Sequence, residues 1–490
     1  MWALRTELAR SDNRLSAARR ATADVTPIVT VAGLTVTAGT GALLVARSDL
    51  FRAFGPGMAL AVFVGMLVSV TLAPALLAVL GRTALWPSPA LTSLRPTARS
   101  TPTTPTRVAG TYDDGVTSVT GSRLFTALTR RGPAAAVLGG CVLVLGLATA
   151  PLRNLDLGLA FVPSLPDTNP VAAAATAARA GFAEGILSPT VVLVEGEGIT
   201  SERLSLARFG QLLRDQPGVA GVVGPGLVPP QLERQGAVLS ETGDAARYLL
   251  ILDDSPLGAS AISTVSELRD DASRLAAAAG LQARIGFGGD TSLAEEIVSS
   301  TTNDLLRISI AALAANLLML VIFLRALVAP LFLLASSMLA LAAALGLTTF
   351  VFQNLLGQDG LTFYVPFAAA VLLVALGSDY NIFGVGQVWE AARRQPLADA
   401  IGTAMPASTR AITAAGITLA VTFALLALVP LRPFRELALT MSVGILLDVL
   451  VVRTLLVPCL LTLFGRVSGW PGKRLQNSDG RRRVDHSHQV

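Results

Sequence analysis

Two pairs of residues in this chain are of types that could carry charge where charge is costly. Asp379 and Tyr380 stand side by side inside the apolar stretch 364–387, YVPFAAAVLLVALGSDYNIFGVGQ, and Asp448 precedes Arg453 by five residues inside a second stretch, 436–464. A carboxylate at the centre of a bilayer costs about 3 kcal/mol on insertion scales, so it faces a protein interior or a wet cavity. The chemistry open to such a group is uptake and release of a proton, with a neighbouring tyrosine hydroxyl to stabilise the anion. Two plainer roles compete: Asp379 as a structural acid satisfied by nearby hydroxyls, and Tyr380 as an anchor at a membrane interface.

Five residues subtend about 140° of an α-helix, at about 100° per residue. On that geometry Asp448 and Arg453 do not pair along one face, and each is expected to meet a group on another helix. That leaves both a structural network and a share in a proton path open. His486 and His488 sit in the polar tail, so the proton-carrying candidates within apolar sequence reduce to Asp379 and Asp448. Asn381 and Asn316 read as supporting polar groups. Gly288, Gly289 and Asp290 read as a strand-to-helix turn and cap. Cys141 and Cys459 fall in apolar runs as small core residues, and no metal site or cofactor other than the proton is expected.

Helices must place these residues, and composition says which kind. Of 490 residues, 52% are hydrophobic and only 14% charged, with a mean hydropathy of +0.61, values that belong to a polytopic membrane protein. The net charge of +5 is gathered in short segments beside apolar runs. That is the pattern of cytoplasmic loops, and it argues against a nucleic-acid partner. The expected fold is mostly α-helical, with about eight transmembrane helices and one extracytoplasmic α+β domain.

Taken in order, residues 1–25 are an arginine-rich cytoplasmic segment without a signal-peptide core. Residues 26–81 hold a first pair of spans, each long enough to cross about 30 Å of hydrocarbon, and 82–132 are a Pro/Thr/Ser-rich disordered linker. A third span occupies 133–152. Residues 153–304 alternate helix-like pieces, with Ser201 as a cap, and the strand-like pieces 188–196, 247–254 and 281–289, which suits a compact α+β module. Five spans follow over 305–464, then a basic tail, 465–490. The basic residues of the linker, of the loop 388–409 and of the tail place both termini in the cytoplasm and the module outside.

The first pair of spans is repeated later. Residues 32–35, AGLT, match 415–418, AGIT; Phe51-Arg52 matches Phe434-Arg435; Pro74, Leu76, Leu77 and Gly81-Arg82 match Pro458, Leu460, Leu461 and Gly465-Arg466. The offset is 383 to 384 throughout, and duplicated helical halves are a transporter habit.

Gly377-Ser378-Asp379-Tyr380-Asn381, followed by Glu390 and Arg393-Arg394, resembles the G-x-D-Y-N/S motif of the MmpL (mycobacterial membrane protein large) branch of the resistance-nodulation-division (RND) transporters. Gly288-Gly289-Asp290-Thr291 before the next span, and Asp448, Arg453 and Pro458 in the last, resemble the same family. The resemblance implies a porter-type, ferredoxin-like outer domain and proton-driven export of lipids or other hydrophobic molecules across the cytoplasmic membrane. In it Asp379, Tyr380 and Asp448 form the proton relay, supported by Arg453, Asn381 and Asn316. It also implies four earlier spans and a first outer domain, expected to be missing here, with 26–81 as the end of the first half. The alternatives are therefore a non-transporting remnant, a lipid-sensing membrane module, or a half-transporter that self-associates or needs a separately made N-terminal half. An intramembrane aspartyl protease, suggested by Pro74-Ala75-Leu76 and two aspartates in spans, fits worse, because Ser378 stands where that pattern has glycine; the chain is not expected to be an enzyme. The expected partners are a lipid or hydrophobic cargo and the membrane lipids.

Overall fold

The computed structural model describes residues 14–80, 125, 127–159, 169–227 and 236–472. Most of the linker expected over 82–132, the first half of the segment 1–25 and the tail from 473 lie outside the described residues. Seven helical segments are long and apolar enough to cross a membrane, and an eighth apolar helix, Val29–Val45, is shorter.

The first hairpin is α1 (Arg14–Gly41) and α2 (Asp49–Leu80), and α3 spans Arg131–Ala148. After it come the short strand β1 (Leu157–Gly158), α4 (Pro170–Arg179), β2 (Thr190–Glu195), α5 (Arg203–Arg214), β3 (Val219–Val223), β4 (Ala245–Leu252), α6 (Ala259–Ala279) and β5 (Arg284–Gly288). The membrane part resumes with α7 (Asp290–Leu324), α8 (Val328–Thr349), a two-residue strand β6 (Leu361–Thr362), α9 (Tyr364–Ala392), α10 (Leu397–Ala424) and α11 (Arg432–Leu446). A ten-residue π-helical segment, Leu447–Leu456, joins α11 to α12 (Val457–Phe464).

The α+β unit has the ferredoxin-like order β3-β4-β2-β5, with every neighbouring pair antiparallel. Alternation explains its register: Ala246, Tyr248, Leu250 and Leu252 of β4 point to one buried face, opposite Val192 and Val194 of β2. Tyr248 fills the centre, edge-on to Phe209 with ring centroids 5.5 Å apart. Its hydroxyl donates to the Leu206 carbonyl at 2.7 Å, so the buried polar tip is satisfied.

Three local expectations change. Ser201 does not cap α5; its hydroxyl turns back to the Gly198 carbonyl at 2.5 Å, within a 3-10 turn over Ile199–Ser201. Asp290 is the first residue of α7 and accepts from the Ser188 hydroxyl at 2.8 Å, so it offsets the helix dipole without capping. The loop expected over 388–409 shrinks to four residues, 393–396, because α9 runs on to Ala392 and the next helix begins at Leu397 with Pro396 as its N-cap.

The repeat holds at the level of elements. Adding 383 to the bounds of α1 gives those of α10, and adding 383 to the first residue of α2 gives that of α11. The 3-10 turns between the helices, Ala42–Val45 and Leu425–Leu428, correspond in the same way. The crossings are equivalent residue for residue. A β-carbon at Gly33 would overlap Met66, and one at Gly416 would overlap Val449, again 383 later in both members.

Candidate functional site

The π segment decides the geometry of the site. Its widened turns, i to i+5, bring residues five apart onto one face; the Thr454 hydroxyl donates to the Val449 carbonyl at that spacing, 3.0 Å. Asp448 and Arg453, expected to diverge by 140°, therefore pair directly. Arg453 Nη2 lies 2.9 Å from Asp448 Oδ2 and 3.1 Å from Oδ1, and Nε lies 3.1 Å from Oδ2. The side chains are only 4% and 11% exposed.

An ion pair this deep persists only where the remaining hydrogen-bonding capacity is also filled, and α9 fills it. Arg453 Nη1 donates to Asn381 Oδ1, and Nη2 donates to the Gly377 carbonyl. The pair packs directly on this part of α9: a β-carbon at Gly377 would stand at ordinary contact distance, 3.6 Å from Arg453 Nη2 and 3.9 Å from Asp448 Oδ2. Arg453 thus grips α9 on both sides of Asp379, two residues from each contact. The helical backbone of Asp379 is described; its side chain lies outside the described residues.

Tyr380 stands between two small internal spaces, each with room for about one water. It shares the first with Ser337, Gly377, Gly444 and Asp448. It shares the second with Met405, Ser408, Thr409 and Arg453. Asn316 is buried on α7, its Nδ2 3.4 Å from the Val374 carbonyl and its Oδ1 without a protein partner. It touches α9 at Val374, one turn before Gly377.

A second buried acid escaped the sequence reading. Glu436, fully buried, pairs with Arg432 Nε at 2.7 Å and accepts the Thr362 backbone N–H at 2.7 Å, while Arg432 also donates to the Gly360 carbonyl. Thr362 belongs to β6, whose rungs pair with β1 at the entrance to the α+β unit. Glu436, Thr440, Gly444 and Asp448 recur every four residues, so one face of α11 runs from this joint to the ion pair. The Thr440 hydroxyl lies 3.0 Å from that of Thr348 on α8 midway along it. The signal that could have found Glu436 was its i,i+4 spacing from Arg432 ahead of an apolar run.

A third acid, Asp304 on α7, is 1% exposed and accepts the backbone N–H groups of Arg47 and Ser48 at 2.9 and 2.7 Å, closing the turn of the first hairpin. Among the described residues no cluster of His, Cys, Asp and Glu could hold a metal ion.

This arrangement, with its duplicated hairpins and its ferredoxin-like unit between spans, can be compared with known proteins. The profile described as the MMPL family matches residues 3–106 and 163–488. The chain belongs to the MMPL family. Among its curated relatives, membrane protein SCO5905 of Streptomyces coelicolor is 32% identical over 88% of this chain and 47% of that protein. The apo-petrobactin exporter of Bacillus anthracis is 26% identical over 93% of this chain and 59% of that protein. The chain thus spans about half the length of these MMPL-type relatives. Among solved structures, the hedgehog release protein Disp from the water bear Hypsibius dujardini shares the fold, with a TM-score of 0.56 at 14% identity, covering 91% of this chain and 59% of that one.

Proposed function

We propose that this MMPL protein serves proton-driven export of a lipid or other hydrophobic molecule across the cytoplasmic membrane, with Asp379, Tyr380 and Asp448 handling the proton. The observation that carries the reading is the grip of Arg453 on Asp448 and on α9 at Gly377 and Asn381. One guanidinium holds a buried carboxylate on the last helix and also holds α9, the helix that carries Asp379. Protonation or ionisation of Asp379 changes the charge carried by α9, the helix that Arg453 ties to Asp448 through Gly377 and Asn381, and so biases how α9 sits against the π segment. Such a difference is what lets a proton bias a rearrangement. The small spaces beside Tyr380 supply room for water to bring the proton in.

In this reading the basic helix ends face the cytoplasm with both termini, and the α+β unit lies outside. The name of the Bacillus anthracis relative, an exporter, supports the direction of transport. The test is Asp379→Asn, which keeps the side chain's size and removes its titration. Export in a complemented strain should be lost while the membrane level of the protein is unchanged. Full export by that variant would exclude the mechanism.

A further inference from the structure

A larger cavity lies away from the ion pair. It occupies about 480 Å³ between α1, α7 and α9, at the end of the bundle where Arg325, Arg393 and Arg394 gather. Its walls are apolar, from Val31 and Leu34 on α1 and Met319, Ile322 and Phe323 on α7. Ile322 is 62% exposed, so the cavity opens sideways onto the surface that faces the bilayer.

The mouth is cationic. Arg325 and Arg393 line it together with one acid, Glu390. Glu390 is already engaged, by Arg393 at 3.1 Å and Arg394 at 3.7 Å. Arg325 makes no ion pair among the described residues, and its backbone sits at φ 51, the one positive-φ residue other than glycine among them. Arginine in the left-handed region is strained by about 1 kcal/mol or more. Its carbonyl is wedged against Gly472 and the Leu327 N–H donates to the Trp470 carbonyl at 2.7 Å, so the turn is clamped with the guanidinium at the rim.

We propose that this crevice binds one anionic glycerophospholipid from the adjacent leaflet, an acyl chain against α1 and α7 and the phosphate between Arg325 and Arg393. An apolar slot open to hydrocarbon, rimmed by Arg325 without an ion pair among the described residues and by Arg393 sharing the one lining acid, Glu390, with Arg394, matches a molecule with an apolar tail and an anionic head. Its volume falls in the range of about 300–1,000 Å³ that suits ligand sites. The bound lipid fills the gap between the first hairpin and the helix that carries Asp379. This inference stands apart from proton coupling and rests on none of the relay residues.

The test uses the full chain in nanodiscs of equal phosphatidylglycerol and phosphatidylcholine, with the lipids retained on the protein counted by native mass spectrometry after release. One phosphatidylglycerol should be retained preferentially. Arg325→Gln and Arg393→Gln should each lower its retention about five-fold, the factor that about 1 kcal/mol per cation at an anionic lipid surface gives. Gly386→Leu should displace it with the arginines intact, because a β-carbon at that position already stands 3.3 Å from the Phe323 ring and the rest of the side chain enters the cavity. Arg394→Gln, off the lining, should leave retention unchanged. Equal retention of the two lipids, or undiminished phosphatidylglycerol in the Arg325→Gln/Arg393→Gln double variant, would overturn the assignment.

Discussion

Replacing Arg453 by methionine, alone and together with Asp448→Leu, separates what the ion pair does for the fold from what it does for transport. Alone, Arg453→Met leaves the Asp448 carboxylate, only 11% exposed, without the three contacts at 2.9–3.1 Å that hold it. Removing one partner of a buried pair costs about 3–5 kcal/mol, whereas replacing both by apolar residues of similar volume is neutral or stabilising by about 1–4 kcal/mol. The double variant also frees Asn381 Oδ1 and the Gly377 carbonyl. Losing those two bonds to a charged donor returns about 3 kcal/mol or more of the gain, so it should melt near the parent protein. The expected order of melting temperature, read by intrinsic fluorescence in detergent, is parent and double variant close together with Arg453→Met well below. Neither variant should export. Identical melting curves for the single and double variants would refute the claim that the pair is buried and mutually dependent, and export by the double variant would remove it from the proton path.

Three further outcomes follow from the geometry. Gly416→Ala forces a methyl group into the stiff side chain of Val449 and should cost about 1–3 kcal/mol; Val449→Ala in the same chain should recover most of it, which a double-mutant cycle by thermal melting checks. Glu436→Gln leaves the Arg432 guanidinium, 15% exposed, without its anion. It should cost about 3 kcal/mol and speed amide exchange selectively over 156–158 and 360–363, where β1 and β6 meet. In the α+β unit, burial, then the neighbouring charges of Asp359 and Asp253, hold the Asp254 carboxyl above its ordinary range. A raised carboxyl binds its proton more tightly in the folded state, so its ionisation destabilises the fold above the shifted value and the penalty fades as pH falls through it. Asp254→Asn should therefore raise the melting temperature at neutral pH, with a gain that shrinks toward pH 4; a gain independent of pH would count against it.

Hydropathy alone made the membrane class and most spans legible, because a run of about 20 apolar residues has few other uses. The alternation of β4, HPHP around Tyr248, and the turn glycines before α7 carried the α+β unit. Hydropathy is blind to helix type, however. Leu447–Leu456 is as apolar in a π-helix as in an α-helix, so the five-residue spacing of Asp448 and Arg453 was read with the wrong period and the pair was missed. Glu436 was missed because an acid next to Arg432 and Arg435 at the start of a span looks like a solvated interface, and only the structure shows β6 folded over it. Asp304 looks like an ordinary i,i+3 partner of Arg307, 3.9 Å away, whereas its two hydrogen-bond donors are backbone groups 256 and 257 residues away.

The change of offset between the duplicated hairpins has a cause that bears on any attempt to move residues from one to the other. Met66 and Val449 correspond at 383, but Pro74 and Pro458 correspond at 384, so the second hairpin carries one additional residue between Val449 and Pro458, where its helix is wound as π. The first hairpin, a continuous α-helix there, has Gly65 in the place of Asp448 and Ser69 in the place of Arg453. Grafting the charged couple onto it at those positions would set the two groups four residues apart, already on one face of an α-helix, so two substitutions suffice there, whereas an inserted amino acid without the π winding would turn the downstream half of that helix by about 100°.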